Sequence, residues 1–477
     1  MLKLNFIVMQ VCCAFVGLFS AETVFTADRP NIVFMLSDDQ AWNGTSVAMH
    51  PTLSESKGKT FNTPNLEKLA AQGIRFSQAY SPAPVCSPTR ISLQTGKSPA
   101  QLHWTKAAPP VEGMKLIEPK LIKNISDNEQ TIAELLRSVG YATAHYGKWH
   151  IGGGGPGAHG YDEHDGDTGN ENAFKFQDPN PVDIFGMAAR AKDFMARAKQ
   201  AKKPFYIQLS WNALHAAENA SKAALAKYQK TMAGQNEKAI AVAAITEDLD
   251  RGVGAVLDAI DTLGLTDNTY VIYMSDNGAG GGDKKSGLRG GKGGVWEGGL
   301  RVPLIVRGPG IAANSWCHVP VVGYDFFPTF CRWAGVRNEA LPATIEGGDI
   351  SELLFGNARV EVQRKFPGLV FHFPHYQSDE PQSSILIGSY KLVHLYESNT
   401  DQLFDLSKDW SERNDLAAKL PKETAEMRTQ LERYLSEVKA QFPQINRDYD
   451  PNSAPSREEM RGKRGQTNKT KKNGNKP

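Results

Sequence analysis

The chain has 477 residues, 40% of them hydrophobic, enough for one large α/β core with a smaller one beside it and too many for a scaffold that needs staples. Its 54 Lys and Arg against 52 Asp and Glu leave a net charge of +2, which gives no support to a nucleic-acid binder or a polyanion sponge. The surplus is local: Ser456 to Pro477 carries eight basic residues and two acidic ones, in a stretch too poor in apolar side chains to order itself.

In chain order, Met1-Leu2-Lys3 precedes an apolar run from Leu4 to Phe19, broken only by Asn5 and Gln10, with small residues at Ser20-Ala21 and Thr26-Ala27. This pattern predicts a signal peptide over residues 1–27 and an exported protein, periplasmic or extracellular, with no later segment able to span a bilayer. Cys12 and Cys13 leave with that peptide. Of the remaining cysteines, Cys317 and Cys331 either pair or sit as small buried hydrophobes, and Cys86 stands alone.

Asn31 to Leu36 is a continuous apolar run of strand length, as in a parallel strand buried on both faces, and Asp38-Asp39 follow it. Thr63-Pro64 reads as an N-cap with proline at the first helical position, Gly73 as the stop, and Ile74 to Ala79 as the next strand. The pattern repeats. A helix over Thr131 to Val139 precedes a strand from Tyr141 to Tyr146, then Lys148 and His150; a strand from Phe205 to Leu209 precedes His215. A long helix marked by Ile245, Leu249, Val253, Val256 and Ile260 precedes a strand from Thr269 to Met274, then Asp276-Asn277. Alternating strands and helices predict a large, mostly parallel sheet sandwiched by helices, whose ligands sit beyond the carboxyl ends of the strands. After about residue 365 short strands (Leu369 to Phe373, Ser384 to Ile387, Lys391 to Tyr396, Leu403 to Leu406) and a helix from Lys422 to Val438 predict a small antiparallel sheet with a helix on it. The expected domains are therefore a large α/β domain over 28–360, a C-terminal α+β subdomain over 361–450, and a basic disordered tail over 451–477.

Asp38, Asp39, Asp276 and Asn277 form an all-oxygen set suited to Ca²⁺ or Mg²⁺ rather than zinc. Each pair alone is equally compatible with turn chemistry. Cys86 precedes Ser87-Pro88, which reads as an N-cap followed by proline at the first helical position, so that Cys86 meets the positive end of a helix and Arg90 points back toward it. Gly152 to Gly155 lacks the Gly-Lys-Ser/Thr ending of a phosphate-binding loop and is expected to let backbone pass close beneath the site. His372-Phe373-Pro374-His375-Tyr376 is either a substrate wall or an edge strand with packed aromatics.

Cys86-Ser87-Pro88-Thr89-Arg90, followed by Ile-Ser-Leu-Gln-Thr-Gly96, resembles the signature of the type I sulfatases of the alkaline phosphatase superfamily, in which the cysteine is oxidised to formylglycine. Asn31 to Asp39, Gly147-Lys148-Trp149-His150, Ser275-Asp276-Asn277-Gly278, and Leu288 to Gly293 through Glu297 to Pro303 resemble family blocks in family order. The resemblance implies one Ca²⁺ held by Asp38, Asp39, Asp276, Asn277 and the modified Cys86, with Arg90 and His150 on the formylglycine hydrate. It implies Lys148 and Lys292 on the sulfate oxygens, and His215 as general acid helped by Lys292. Where the family usually has proline two residues after that histidine, this chain has Ala216-Ala217. It further implies a sulfated glycan or small-molecule substrate and a maturation enzyme acting on Cys86. The rivals are a phosphomonoester or phosphonate hydrolase of the same superfamily, which mostly uses Ser or Thr with two zinc ions, and a non-catalytic binder of sulfated glycans.

Overall fold

Eight strands form the main sheet, in the spatial order Ser315–Cys317, Ile74–Phe76, Leu304–Arg307, Thr269–Ser275, Asn31–Ser37, Phe205–Ser210, Ala142–Gly147, Glu163–His164. This computed structural model describes residues 29–279, 287–357 and 360–456. The expected signal peptide and the basic tail beyond Ser456 lie outside the described residues. Among the paired strands only Leu304–Arg307 runs antiparallel to its neighbours, so the sheet is mostly parallel.

The central strand explains the layering. All seven residues of Asn31–Ser37 are buried. Val33 and Met35 enter one core with the helices Ile184–Gln200 and Glu237–Thr262, while Ile32, Phe34 and Leu36 enter the other with Ile132–Ser138 and Phe326–Ala334. Burying such side chains contributes about 1.5–3 kcal/mol each. The register then aligns the strand ends: Leu36 lies opposite both Ser210 and Met274, and Gly147 opposite Ser210. The residues that follow those four strands therefore emerge side by side.

The C-terminal sheet is antiparallel, in the order Leu369–Phe373, Gln382–Ile387, Tyr390–Leu395, Thr400–Asp405. One face packs Phe371, Phe373 and Val393 against Val85, Val295 and Trp296 of the main domain, and the other packs Ile385, Leu392 and Leu403 against Leu431 and Leu435 of the helix Pro421–Glu437. It buttresses the segments next to Cys86 and Lys292.

Several local expectations change. The helix at Cys86 spans Cys86–Thr95 with Val85 at its N-cap, so Cys86 is the first helical residue and Pro88 the third, where its missing N–H would in any case lack an intrahelical partner. Thr63 does not cap its helix. Its hydroxyl accepts from Ser46 N, and the buried Asp250 carboxylate takes the Asn65 and Leu66 N–H groups instead. The strand expected over Ile74 to Ala79 breaks at Ser77-Gln78, and Ala79–Tyr80 pairs separately with Val321–Val322. Cys317 and Cys331 are free thiols in the apolar core. Gly152 to Gly155 all have positive φ, and a side chain at Gly152 would meet Asn124 Oδ1 at 2.1 Å, so this loop is shaped by Asn124. His375 and Tyr376 are buried at the end of an edge strand, the packing alternative for that motif. No described helix is long and apolar enough to cross a membrane.

Candidate active site

Three carboxylates converge at the strand ends. Asp38 donates its backbone N–H to Ala213 O (2.8 Å), Asp276 N donates to Ser37 O (3.0 Å), and Asp39 N donates to Asp276 Oδ1 (3.2 Å), which interlocks the three loops. Asp39 adopts the left-handed region at φ 60°, turning the chain so that adjacent aspartates serve one centre. Ligand oxygens of Asp38, Asp39 and Asp276 all lie within 4.8 Å of one another.

Three cations answer them. Arg90 places Nε and Nη2 on Asp276 Oδ2 (3.1 and 2.7 Å) and Nη1 on the Lys148 carbonyl (2.6 Å), fixing a carboxylate and a strand end together. Lys148 Nζ donates to Asp38 Oδ2 at 2.5 Å, and Lys292 Nζ donates to Asp39 Oδ1. Asp38, Arg90, Lys148 and Asp276 are all at most 1% exposed, which only paired charges tolerate. Burial raises the Asp38 carboxyl, but Lys148, His215 and Arg90 outweigh it and hold the group well below the usual range. Burial and the neighbouring Asp38 push Asp276 the other way, upward, despite Arg90.

The donor set fits a divalent hard cation. Asp38 Oδ1 and Asn277 Oδ1 are buried oxygens with no hydrogen-bond partner, while the other polar atom of each side chain is bonded: Asp38 Oδ2 to Lys148, and Asn277 Nδ2 to Asp39 Oδ1 and Gly278 O. Unpaired buried acceptors are costly, and here they are supplied by two of the four residues whose oxygens suit Ca²⁺. With three carboxylates balanced by Arg90, Lys148 and Lys292, an added divalent cation would leave the centre positive.

Cys86, 2% exposed, lies in this field. Burial raises its thiol, Lys148 and Lys292 lower it, and the balance falls below an ordinary cysteine. The turn carrying Lys292 is pinned to the cysteine loop by Gly293 N donating to Pro84 O (2.9 Å), and to the Asp276 loop by Gly278 N donating to Gly299 O (3.0 Å). Side chains have no room there: a Cβ on Gly278 would stand 2.0 Å from Gly298 O, and one on Gly299 2.1 Å from Gly294 O. His150 is held neutral by burial and by Lys148 and Arg90, and its Nδ1 has no partner. His215 donates its backbone N–H to Asn212 O, places Nδ1 against Ala216 O at 2.8 Å, and acts on both Asp38 and Asp39. The structure thus brings all ten sequence-derived residues into one region.

Supporting charges were not legible in the sequence. Glu297, immediately after the Lys292 turn, is fully buried and accepts from Arg301, Tyr80 and Lys391, and Lys391 also pairs with Glu412 at 2.8 Å. Glu118 similarly gathers Lys106 and His375 beneath the 103–118 loop. The only advance signal was Glu297, inside a block resembling the family.

Comparison with known proteins agrees with this geometry. A family model described as "Sulfatase" matches residues 30–336, more than half of the chain, and one described as "N-sulphoglucosamine sulphohydrolase, C-terminal" matches residues 291–441. The chain is similar to human arylsulfatase A (28% identity, covering 79% of this chain and 76% of that protein) and to rat N-acetylgalactosamine-6-sulfatase (30%, covering 68% of each). Its fold is similar to the crystal structure of Ps i-CgsB in complex with k-i-k-neocarrahexaose, with a TM-score of 0.71 at 22% identity, covering 93% of this chain and 99% of that one. The chain belongs to the sulfatase family and is a sulfuric ester hydrolase.

Proposed function

We propose that this protein hydrolyses sulfate monoesters of carbohydrates or aryl alcohols with a formylglycine made from Cys86, at a calcium centre held by Asp38, Asp39, Asp276 and Asn277. The observation that carries the reading is the pair of orphaned buried oxygens, Asp38 Oδ1 and Asn277 Oδ1, set beside a cysteine at the first position of a helix. Asp38, Asp39, Asp276 and Asn277, with the modified Cys86 side chain, would hold the Ca²⁺, which would supply positive charge for the sulfate oxygens. A formylglycine hydrate offers two hydroxyls on one carbon, one to attack sulfur and one to expel sulfate.

The chain's own residues do the rest. Lys148 donates to Asp38 and Lys292 to Asp39, and the two ammonium charges stabilise the sulfate oxygens in a water-poor site. The unpartnered Nδ1 of the neutral His150 suits one hydroxyl of the hydrate, and Arg90 steadies Asp276 while bordering the same group. His215, partly open to solvent, donates the proton to the departing alcohol, helped by Lys292, for a gain of roughly 10²–10⁴. The cluster offers a single all-oxygen cation site with no histidine in it, which argues against a two-zinc phosphatase. Six assembled catalytic groups argue against a mere glycan binder.

In this reading residues 1–27 direct export, the catalytic domain covers 28–360 and its C-terminal subdomain 361–450, and a maturation enzyme acts on Cys86. The test is mass spectrometry of the Cys86 peptide, with hydrolysis of 4-nitrophenyl sulfate and 4-nitrophenyl phosphate. An aldehyde at Cys86 and preference for sulfate are expected. Cys86→Ala abolishes turnover in a folded protein, and Cys86→Ser stalls with sulfate retained. A free thiol in fully active protein overturns the mechanism.

A further inference from the structure

We infer that the segment Gly169–Ala173 and Gln377 form the subsite for the departing alcohol, and that this subsite is built for a hydroxyl-rich sugar ring rather than an aryl group. The inference rests on the sulfatase reading above.

The alcohol leaves beside its proton donor, so whatever flanks His215 touches it. The segment Gly169–Ala173 is tied to the His215 loop at both ends, with Asn212 Nδ2 donating to Gly169 O (3.0 Å) and Asn219 Nδ2 donating to Ala173 O (2.9 Å). It is tied equally to the other histidine: His150 N donates to Thr168 O at 2.8 Å, and Trp149 N to Thr168 Oγ1 at 3.2 Å. Gly169 itself borders His150, since a Cβ there would stand 3.4 Å from His150 Cδ2. The segment therefore lies between the two histidines of the centre.

Its side chains are unfinished. Asn170 Oδ1 and Asn172 Oδ1 are buried atoms with no hydrogen-bond partner. On the Lys292 side, Gln377 packs against Gly293, whose Cβ would meet its Nε2 at 2.3 Å, and both Nε2 and Oε1 of Gln377 are buried and unpartnered. Buried amides left unpaired cost more than a hydrogen bond returns, so a ligand that completes them is favoured. A sugar ring completes them, because each hydroxyl can donate to Asn170, Asn172 or Gln377 Oε1 and accept from Gln377 Nε2. An aryl ring has no such hydroxyls and would leave all of them unmet. Next in the chain, Phe174 and Phe176 are 49% and 46% exposed, large apolar side chains of the kind on which the C–H face of a sugar packs.

The experiment compares 4-nitrophenyl sulfate with galactose 6-sulfate, N-acetylglucosamine 6-sulfate, N-acetylgalactosamine 4-sulfate and 6-sulfate, and neocarrabiose sulfate. Wild-type protein should turn over at least one sugar sulfate with higher kcat/KM than the aryl sulfate. In Asn170→Ala/Asn172→Ala and in Gln377→Ala, the ratio of sugar to aryl kcat/KM should fall at least tenfold, mainly through KM, since polar sites discriminate strongly against a ligand that leaves them unpaired. Circular dichroism and calcium-dependent melting establish that the variants fold. Equal loss on both substrates, an unchanged ratio, or aryl turnover with no sugar turnover each overturns the subsite while leaving the sulfatase reading intact. Turnover of 4-nitrophenyl phosphate in place of every sulfate overturns that reading, and the subsite with it.

Discussion

Calcium should stabilise this protein through two specific oxygens. Carboxylates no more than 4.8 Å apart repel by roughly 3.5 kcal/mol or more per pair at an effective dielectric of about 20, and Asp38, Asp39 and Asp276 make three pairs within that distance. Arg90, Lys148 and Lys292 offset this without satisfying Asp38 Oδ1 or Asn277 Oδ1, so the folded state gains from a cation that the unfolded chain cannot bind in the same way. At a free concentration about 100 times Kd, linkage contributes about 2.7 kcal/mol. With about 2.1 cal/mol/K of unfolding entropy per residue, 477 residues give roughly 1 kcal/mol per degree, so Tm should rise by about 3 °C.

The discriminating variant is Asn277→Ala. It removes one orphaned oxygen, and a tenfold loss of affinity would cut the stabilisation by about 1.4 kcal/mol, half of the shift. Asn277→Ala also loses the bonds of Nδ2 to Asp39 and Gly278, so the quantity to compare is the calcium-induced shift, not the Tm itself. Differential scanning calorimetry of chelator-treated protein, with and without CaCl₂, measures it. No shift in the wild type, or an undiminished shift in Asn277→Ala, would refute the assignment of the two oxygens.

Acid should weaken the fold through two buried histidines, His145 and His372. Burial lowers His145 to about 3 and His372 to about 4, below the unfolded value of 6.5, so the unfolded chain binds more protons and stability falls as pH drops below 6.5. Between pH 6.5 and 5 each contributes a loss of roughly 1.6 kcal/mol; urea unfolding at both pH values should show a shallower loss in His372→Gln. Gly299→Ala would place a Cβ 2.1 Å from Gly294 O and 2.5 Å from Gly291 O, both backbone, so the Lys292 turn must move. A displacement of about 1 Å can cost on the order of 10² in rate, so kcat with 4-nitrophenyl sulfate should collapse while a cooperative melt persists, and near-normal kcat would contradict the tight seating of that turn.

What the sequence revealed and what it hid follow from how far each signal reaches along the chain. Asn31–Ser37 was legible because a strand buried on both faces must be apolar throughout, and Asp38, Lys148, His215 and Asp276 were legible because a parallel sheet collects whatever follows its strands. The cap on Pro64–Ala71 was not, because Thr63 satisfies the local rule while the carboxylate that performs the task, Asp250, belongs to another helix. Lys391 and Glu412 were invisible for the same reason: a buried ion pair has no sequence pattern when its partners come from a strand and a distant turn. Asn170 and Asn172 posed a harder problem, since asparagines in a polar loop read as turn chemistry, and only the burial of an unpartnered Oδ1 sets them apart. The division is physical. Asp38, Lys148, His215 and Asp276 are gathered by sheet topology and declare themselves at strand ends. Asn170, Asn172 and Gln377 are set by loop packing against His150, His215 and Gly293, so the reaction class could be read along the chain, whereas the proposed alcohol subsite could be read only from the folded chain.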